Sequence, residues 1–175
     1  MNYPYQLVVL VDVDPEPAIG TSIYSGPQGW IPTVAVKRRF RLHDISESDL
    51  LKLLSEFFDN HAHHFGITFT GVVRPKDMPV DVLEIMQVSS LMRFHNDLIK
   101  SLGNQIESRY PERDGDNYYP HMTLTWQEKQ VINPDDFFPS PVGIIGTKHQ
   151  TRVCLLKDPD DSENAEVLHY FDIKN

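Results

Sequence analysis

Residues 119–124, Tyr-Pro-His-Met-Thr-Leu, are the stretch of sequence that best indicates both the fold and the site. Successive side chains of a β-strand point to opposite faces, so His121 and Thr123 share one face with Tyr119, while Met122 and Leu124 share the other. We expect the apolar face to lie against the core. The imidazole can then transfer a proton while the nearby hydroxyl binds an oxygen of the same phosphate.

A related segment in the first half of the chain indicates an internal repeat. Residues 31–36, Ile-Pro-Thr-Val-Ala-Val, align with residues 119–124, and position 33 is separated from position 121 by 88 residues. The segments that follow also align in the same order: 64–75 with 148–159, and 81–89 with 165–173. Coincidence between two strands that each follow a proline is the alternative. The ordered matches favour a single domain, residues 1–175, that consists of two pseudo-symmetric lobes. The lobes are approximately residues 1–88 and 89–175, and a strand from one half of the chain is allowed to belong to the other lobe.

The first-half strand carries a cluster of cations. Alternation places Lys37 and Arg39 on one face with Thr33 and Ala35, and Arg38 on the other face with the valines and Phe40. If the two halves pack about a pseudo-twofold axis, Lys37 and Arg39 lie opposite His121. This arrangement predicts an anion site inside an acidic protein. The alternative is a solvated strand end.

Hydrophobic periodicity predicts a mixed α and β composition. Apolar stripes at helical spacing predict helices over 46–60, with Ser46 as N-cap, and over 90–102. A loop is expected over 12–30 and another over 132–142. Alternating or continuous apolar runs predict the strands 5–11, 31–42, 64–74, 82–88, 118–126, 147–157 and 166–173, the last two as an antiparallel pair.

Composition excludes several classes of function. The 175 residues include 16 basic and 25 acidic side chains, for a formal charge of -9. This charge disfavours the binding of long duplex nucleic acid, and it argues against a protein that attaches to membranes through a polybasic segment. No apolar run approaches the ~18 residues of a membrane span, and no signal peptide is recognised, so a cytoplasmic protein is expected. One cysteine, Cys154, excludes an intramolecular disulfide.

Other histidines in the chain could serve as metal ligands or as structural residues. His61, His63 and His64 form a cluster, but they straddle a predicted helix end and strand start, so no metal site is predicted. His95 follows Phe94 on the second helix, and a partly buried structural role is favoured.

The Pro-His-Met-Thr-Leu segment, the half-chain echo and the order of elements resemble the 2H phosphoesterase superfamily, the LigT-like or 2'-5' RNA ligase family. The resemblance implies an α+β fold in which two lobes of antiparallel sheet with flanking helices surround a central cleft. It also implies hydrolysis or formation of 2',3'-cyclic or 2'-5' phosphodiester bonds in small nucleotides or RNA ends, with no metal or other cofactor. One H-x-T/S motif per lobe supplies a histidine as acid or base and a hydroxyl that holds phosphate. The second motif carries over onto His121 and Thr123.

The first motif departs from the family pattern, because Thr33 stands where the family has histidine and Ala35 where it has Thr or Ser. Loss of a general acid or base typically costs roughly 10²–10⁴ in rate, and a threonine hydroxyl does not titrate near neutrality. A substitute such as Lys37, Tyr119 or His149 is conceivable, but nothing in the sequence selects one.

Three hypotheses for function follow. The first is a phosphodiesterase or 2'-5' RNA ligase-like enzyme with His121 and Thr123 as catalytic residues, and with Lys37, Arg39, Thr33 and Tyr119 around the phosphate. The second is a catalytically inactive module that binds a small nucleotide or an RNA terminus. The third is an interaction protein with a vestigial cleft. The substrate, the direction of reaction and the oligomeric state do not follow from the sequence.

Overall fold

A computed structural model of the chain describes residues 2–24, 31–60, 66–76, 80–86, 88–124, 146–149, 152–159 and 164–173. Within these residues the chain forms two α-helices, α1 (Glu47–Asn60) and α2 (Ser89–Leu102). The strands in the same ranges are β1 (Tyr5–Leu10), β2 (Ser22–Tyr24), β3 (Thr33–Leu42), β4 (Gly66–Val73), β5 (Val82–Met86), β6 (Ile106–Ser108), β7 (His121–Thr123), β8 (Gly146–His149), β9 (Arg152–Lys157) and β10 (Asn164–Asp172).

The strands form two antiparallel sheets. The larger sheet has the order β2-β10-β9-β1-β3-β6, and the smaller sheet has the order β7-β5-β4-β8. Each sheet combines strands from both halves of the chain. The aligned segments of the internal echo form equivalent hairpins, because β4 pairs with β5 and β9 pairs with β10. Two antiparallel sheets with two helices confirm the predicted α+β fold class.

One large apolar core joins both sheets to the two helices. Leu7 and Val9 of β1, Leu50 of α1, Phe94 of α2 and Leu83 of β5 all belong to it. The helical stripes were therefore correctly predicted, and each faces this core. A smaller apolar cluster lies on the opposite face of the larger sheet and includes Val8, Ile23, Cys154, Leu156, Ala165 and Val167.

The first helix begins as its sequence predicts. The Asp49 backbone N–H donates to Ser46 Oγ (3.2 Å), and the Ser46 N–H donates to Asp49 Oδ2 (3.1 Å). The two residues therefore satisfy each other's free backbone donors at the helix N-terminus. The second helix begins at Ser89, one residue earlier than predicted.

Several predicted boundaries were wrong. The predicted strand 147–157 is two strands, because β8 pairs with β4 in the smaller sheet while β9 pairs with β1 and β10 in the larger one. The predicted loop 12–30 contains β2, and β6 was missed, because three-residue strands carry too little alternation to be recognised. The predicted strand 118–126 is reduced to β7 within the described residues, and the predicted loop 132–142 lies outside them.

The pairing of β3 with β1 contains two irregularities that matter for the site. Tyr5 pairs with Phe40, Leu7 with Lys37 and Val8 with Ala35, so β3 has one extra residue in each of the two intervals. Each extra residue is a β-bulge, which reverses the face to which the following side chains point. Lys37 therefore shares a face with the core residue Leu7 rather than with Ala35.

Candidate functional site

Strand β7 holds the predicted histidine on the open face of the smaller sheet. Its residue Met122 pairs with Leu83, and both belong to the core. His121 pairs with Glu84, so these two side chains share the opposite face. Leu124 is buried in the core as well, which confirms the predicted apolar face of this segment.

His121 lies between a backbone carbonyl and a guanidinium. Its Nδ1 is 2.8 Å from the Tyr119 carbonyl oxygen, and its Nε2 is 2.9 Å from Arg38 Nη2, which is also 3.2 Å from Nδ1. A carbonyl only accepts and a guanidinium only donates, so Nδ1 carries the proton and Nε2 is the acceptor. The hydrogen bonds therefore assign a neutral imidazole.

The electrostatics of the site favour the same protonation state. Burial, the largest cause, and the positive charges of Arg38 and Arg113 together lower the pKa of His121 to about 4, against the opposing effect of the hydrogen bond to the Tyr119 carbonyl. The residue is 9% exposed, so it is little hydrated. At neutral pH His121 is therefore an unprotonated base with Arg38 Nη2 within 3.2 Å of both ring nitrogens.

Arg38 was predicted for the core face of β3, and the structure places it against His121 instead. Burial lowers the pKa of its guanidinium, as does the charge of Arg113, but an arginine keeps its charge at any physiological pH. The cation opposite His121 was expected to be Lys37 or Arg39. The two bulges of β3 explain the error, because they change the alternation at these residues.

Lys37 occupies a different environment from the predicted one. Its side chain is fully buried, and its Nζ donates to Ser108 Oγ (2.6 Å) and to both carboxylate oxygens of Asp114 (2.9 Å each). Burial lowers the pKa of the Lys37 amine, while Asp114 acts in the opposite direction. Lys37 is therefore a structural cation with a carboxylate partner, and it makes no contact with His121.

Arg39 also points away from His121. Its Nη2 donates to Asp158 Oδ2 at 2.7 Å, and the Asp158 carboxylate is fully buried. Asp158 follows β9, and its N–H donates to the Pro4 carbonyl just before β1. Arg39 thus connects β3 to the end of β9, on the far side of β1 in the larger sheet.

The remaining predicted site residues differ in how close they lie to the His121–Arg38 contact. Thr123 is half-buried at the end of β7, two residues from His121 on the same face, and Tyr119 stacks on the His121 ring with centroids 5.4 Å apart. Thr33 and Ala35 pair with Leu10 and Val8 of β1, five and three residues before Arg38 along β3.

A second group of buried polar residues fastens the segment before β7 to β3. His95 is 1% exposed, as the structural interpretation of this histidine predicted, and its Nδ1–H donates to the Val36 carbonyl (2.7 Å). Its Nε2 accepts from the Gly115 N–H (3.1 Å), and its ring stacks on Tyr118 with centroids 4.0 Å apart. The Tyr118 hydroxyl donates to the Ala35 carbonyl (2.7 Å). These contacts hold β7 beside β3.

The sequence contained a signal for only some of these residues. Arg38 was visible as one of three consecutive cations, but the face to which it points depends on the bulges. Asp114 and Tyr118 lie in a turn-rich segment where no periodicity indicates their partners. The proposed substitute His149 lies in β8, three strand positions from β7, which corresponds to about 14 Å at the usual strand spacing.

Among the described residues, no group of three or more His, Cys, Asp or Glu side chains is arranged to hold a metal ion. The cluster of His61, His63 and His64 lies outside the described residues. No helix in the described ranges combines the length and the apolar character needed to cross a membrane.

Known structures share the arrangement of sheets and helices. A phosphoesterase has a TM-score of 0.63 at 12% sequence identity, with 100% of both chains covered. LigT from E. coli in its apo form has a TM-score of 0.60 at 12% identity, with 99% of this chain and 98% of that chain covered. The chain has the LigT-like fold. Usb1 from Kluyveromyces marxianus is also similar, with a TM-score of 0.50, 5% identity and 99% of both chains covered.

The LigT-like fold that the sequence resemblance implies is thereby confirmed. No protein-family model and no curated protein sequence matches the chain. The LigT-like structures include E. coli LigT complexed with ATP, with phosphate and with 3'-AMP.

Proposed function

We propose that this chain is a 2H phosphoesterase-like protein that acts on 2',3'-cyclic or 2'-5' phosphodiester bonds in small nucleotides or at RNA ends. The observation that carries the proposal is the 2.9 Å contact between Arg38 Nη2 and His121 Nε2, which brings a permanent cation to an unprotonated imidazole. A phosphate is a better partner for the guanidinium than an imidazole, because it is anionic and accepts two parallel hydrogen bonds. The ligands named for E. coli LigT support the choice of nucleotides.

The chemistry would divide among three side chains. Arg38 and the Thr123 hydroxyl would donate to non-bridging phosphate oxygens, where negative charge accumulates in the transition state. His121 Nε2 would accept the proton of the attacking water as the bond between phosphorus and the leaving ribose oxygen breaks. The leaving oxygen would take its proton from solvent, because the residue that aligns in sequence with the family's first-motif histidine is Thr33.

The second candidate function is binding of the same ligands without turnover. Thr33 and Ala35 favour it, since they stand where the first motif of the family has its titratable and hydroxyl groups. The two functions share the phosphate contacts and differ in whether one base suffices for hydrolysis.

The test measures turnover of 2',3'-cyclic AMP and of a 2'-5' linked diadenylate, together with binding of 3'-AMP. We expect His121→Ala to lower turnover by about 100-fold, within the range for a lost general base. The matched control is His43→Ala, because His43 is exposed at the end of β3 and should leave turnover unchanged. Wild-type activity should be constant between pH 6 and pH 8 and should fall as the pH approaches the His121 pKa of about 4, because protonation removes the base.

Each outcome decides between the candidates. Turnover that survives His121→Ala would contradict the role of His121. Binding without turnover, weakened in the variant, would establish the second candidate. If wild type neither binds nor turns over these compounds, the proposed function is wrong.

A further inference from the structure

Two large apolar side chains are exposed beside His121 on the open face of the smaller sheet. Met86 is 54% exposed and Tyr119 is 39% exposed. Exposed apolar groups next to a functional site often mark a surface that a ligand covers. Their position relative to His121 identifies the kind of ligand.

The strand register places the two side chains near each other. Glu84 pairs with His121 across β5 and β7, and Met86 and Tyr119 lie two residues further along their respective segments, in the same direction. In antiparallel segments, residues two apart on each side of a pair lie on the same face. An electrostatic effect also indicates that Glu84 is close to Tyr119. Burial is the largest cause that raises the pKa of the Tyr119 hydroxyl, and the charge of Glu84 is the second.

Charges of both signs act on this part of the molecule. The charges of Arg38 and Arg113 lower the pKa of the His121 imidazole. The exposed Glu84 pairs with His121 across the strands, and its charge raises the pKa of the Tyr119 hydroxyl. A phosphate is attracted to the arginines and repelled by the carboxylate, so the part of a ligand that extends over Tyr119 has to be uncharged.

We propose that Tyr119 and Met86 form a stacking surface for one nucleobase of a ligand whose phosphate lies at Arg38 and His121. The inference rests on the proposed function and adds to it the part of the substrate that is recognised beyond the phosphate. A nucleobase is flat, uncharged and directly linked through the ribose to the phosphate, which fits the order of Arg38, His121 and Tyr119. Aromatic stacking is tolerant of base identity, because every base has a π-face. The Met86 thioether adds a polarisable contact beside the ring.

The geometry of Tyr119 supports this role over that of a proton carrier. Its ring stacks on the His121 ring at an interplanar angle of 29°, so a base stacked on the remaining surface continues the same stack. Burial and Glu84 raise the pKa of its hydroxyl, which makes it a weaker acid than a free tyrosine.

The experiment compares dissociation constants of the full chain for inorganic phosphate and for 3'-AMP, measured by calorimetry. We expect 3'-AMP to bind more tightly than phosphate. Tyr119→Leu should weaken 3'-AMP binding about tenfold and change phosphate binding less than about twofold, because base–aromatic stacking contributes at this level. Tyr119→Phe should bind like wild type, and Met86→Ala should weaken 3'-AMP binding about threefold.

The matched control is Ile19→Ala. Ile19 is also a large exposed apolar residue, at 59%, but it precedes Gly20, which binds β10 of the larger sheet through the Val167 carbonyl. This variant should bind both ligands like wild type.

The failure of the inference is distinguishable from the failure of the proposed function. If wild type binds phosphate and 3'-AMP equally, or if Tyr119→Leu weakens both ligands equally, Tyr119 acts on His121 or the phosphate and the stacking surface is wrong. If wild type binds neither ligand, the proposed function is wrong and the stacking surface falls with it.

Discussion

Lys37 and Arg38 are neighbours on β3, both are cations, and their surroundings are opposite. Lys37 is fully buried, and its Nζ donates hydrogen bonds to Ser108 Oγ and to both carboxylate oxygens of Asp114. Arg38 contacts the neutral ring of His121 and is close to a second cation, Arg113. The Lys37 charge is hydrogen-bonded to a carboxylate, while the Arg38 charge contacts a neutral ring and is favoured by the Asp114 carboxylate without a hydrogen bond to it.

The comparison separates structural charge from functional charge. A buried charge with an ionic partner stabilises only the arrangement of that pair, and removing one member leaves the other uncompensated. A buried cation beside a base and another cation lowers the pKa of that base and favours the arrival of an anion. Sequence proximity therefore predicts neither role, since the two residues are adjacent and the bulges of β3 decide between them.

The largest effect that this comparison predicts is on stability. Lys37→Met should lower the free energy of unfolding by about 3 kcal/mol, because the Asp114 carboxylate loses its partner in a largely buried position. Chemical denaturation monitored by circular dichroism measures this change. The double variant Lys37→Met/Asp114→Leu should recover most of the loss, since it removes both charges.

An exposed lysine provides the control for this variant. Lys157 Nζ binds Glu47 Oε2 at 2.7 Å, and both side chains are about one-third exposed. Lys157→Met should cost less than about 1 kcal/mol, as exposed ion pairs usually do. If the two lysine variants lose equal stability, or if the double variant is as unstable as Lys37→Met, the structural role of the buried pair is wrong.

The next effect concerns Arg38. Arg38→Met should weaken phosphate binding by tenfold or more, because a charge-assisted hydrogen bond contributes roughly 1.5–3 kcal/mol. It should also raise the pKa of His121 above about 4, since the guanidinium charge is one of the causes that lower it. The pKa should stay below the usual value of about 6.5, because burial, the largest cause, remains. Titration of the His121 ring by NMR measures the shift.

The same titration has a consequence for stability. The folded-state pKa of His121 lies below that of the unfolded chain, so the unfolded state binds more protons between about pH 6.5 and pH 4. The contribution of the neutral imidazole is therefore fully present above pH 6.5 and is lost as the pH falls towards 4. Arg38→Met should raise the lower limit of this pH range, because it raises the pKa of His121 in the folded state. An unchanged His121 pKa together with unchanged phosphate affinity would contradict the functional assignment of Arg38.

Alternation along a strand was enough to predict β7 but not β3. His121 and Met122 lie on the faces that the period of two requires, because β7 pairs with β5 in a regular register. Strand β3 has extra residues opposite β1, and a bulge depends on backbone hydrogen bonds with a partner strand that its own side chains do not specify. The period therefore gave the correct faces for Val34 and Phe40 and the wrong ones for Lys37 and Arg38.

The positioning residues were harder to recognise for a related reason. His95 fits the apolar stripe of α2 at helical spacing, so its burial was predictable. Its two hydrogen bonds reach Val36 and Gly115, which are 59 and 20 residues away along the chain. Contacts at such separations depend on the packing of the sheets, and a local pattern contains no information about them.

The smallest expected effect belongs to the position where the family pattern requires a histidine. Thr33→His should leave turnover and phosphate affinity unchanged, although it restores the histidine of the first motif in sequence. Thr33 pairs with Leu10, five residues before Arg38, and extended backbone covers about 15 Å over that length. An imidazole at position 33 is therefore too far from the Arg38–His121 contact to protonate a leaving group there. A tenfold or larger rise in turnover of 2',3'-cyclic AMP would contradict this and would place the reacting phosphate nearer to Thr33. Comparing Thr33→His with Ala35→His, which lies two residues closer to Arg38, would then locate the phosphate along the strand.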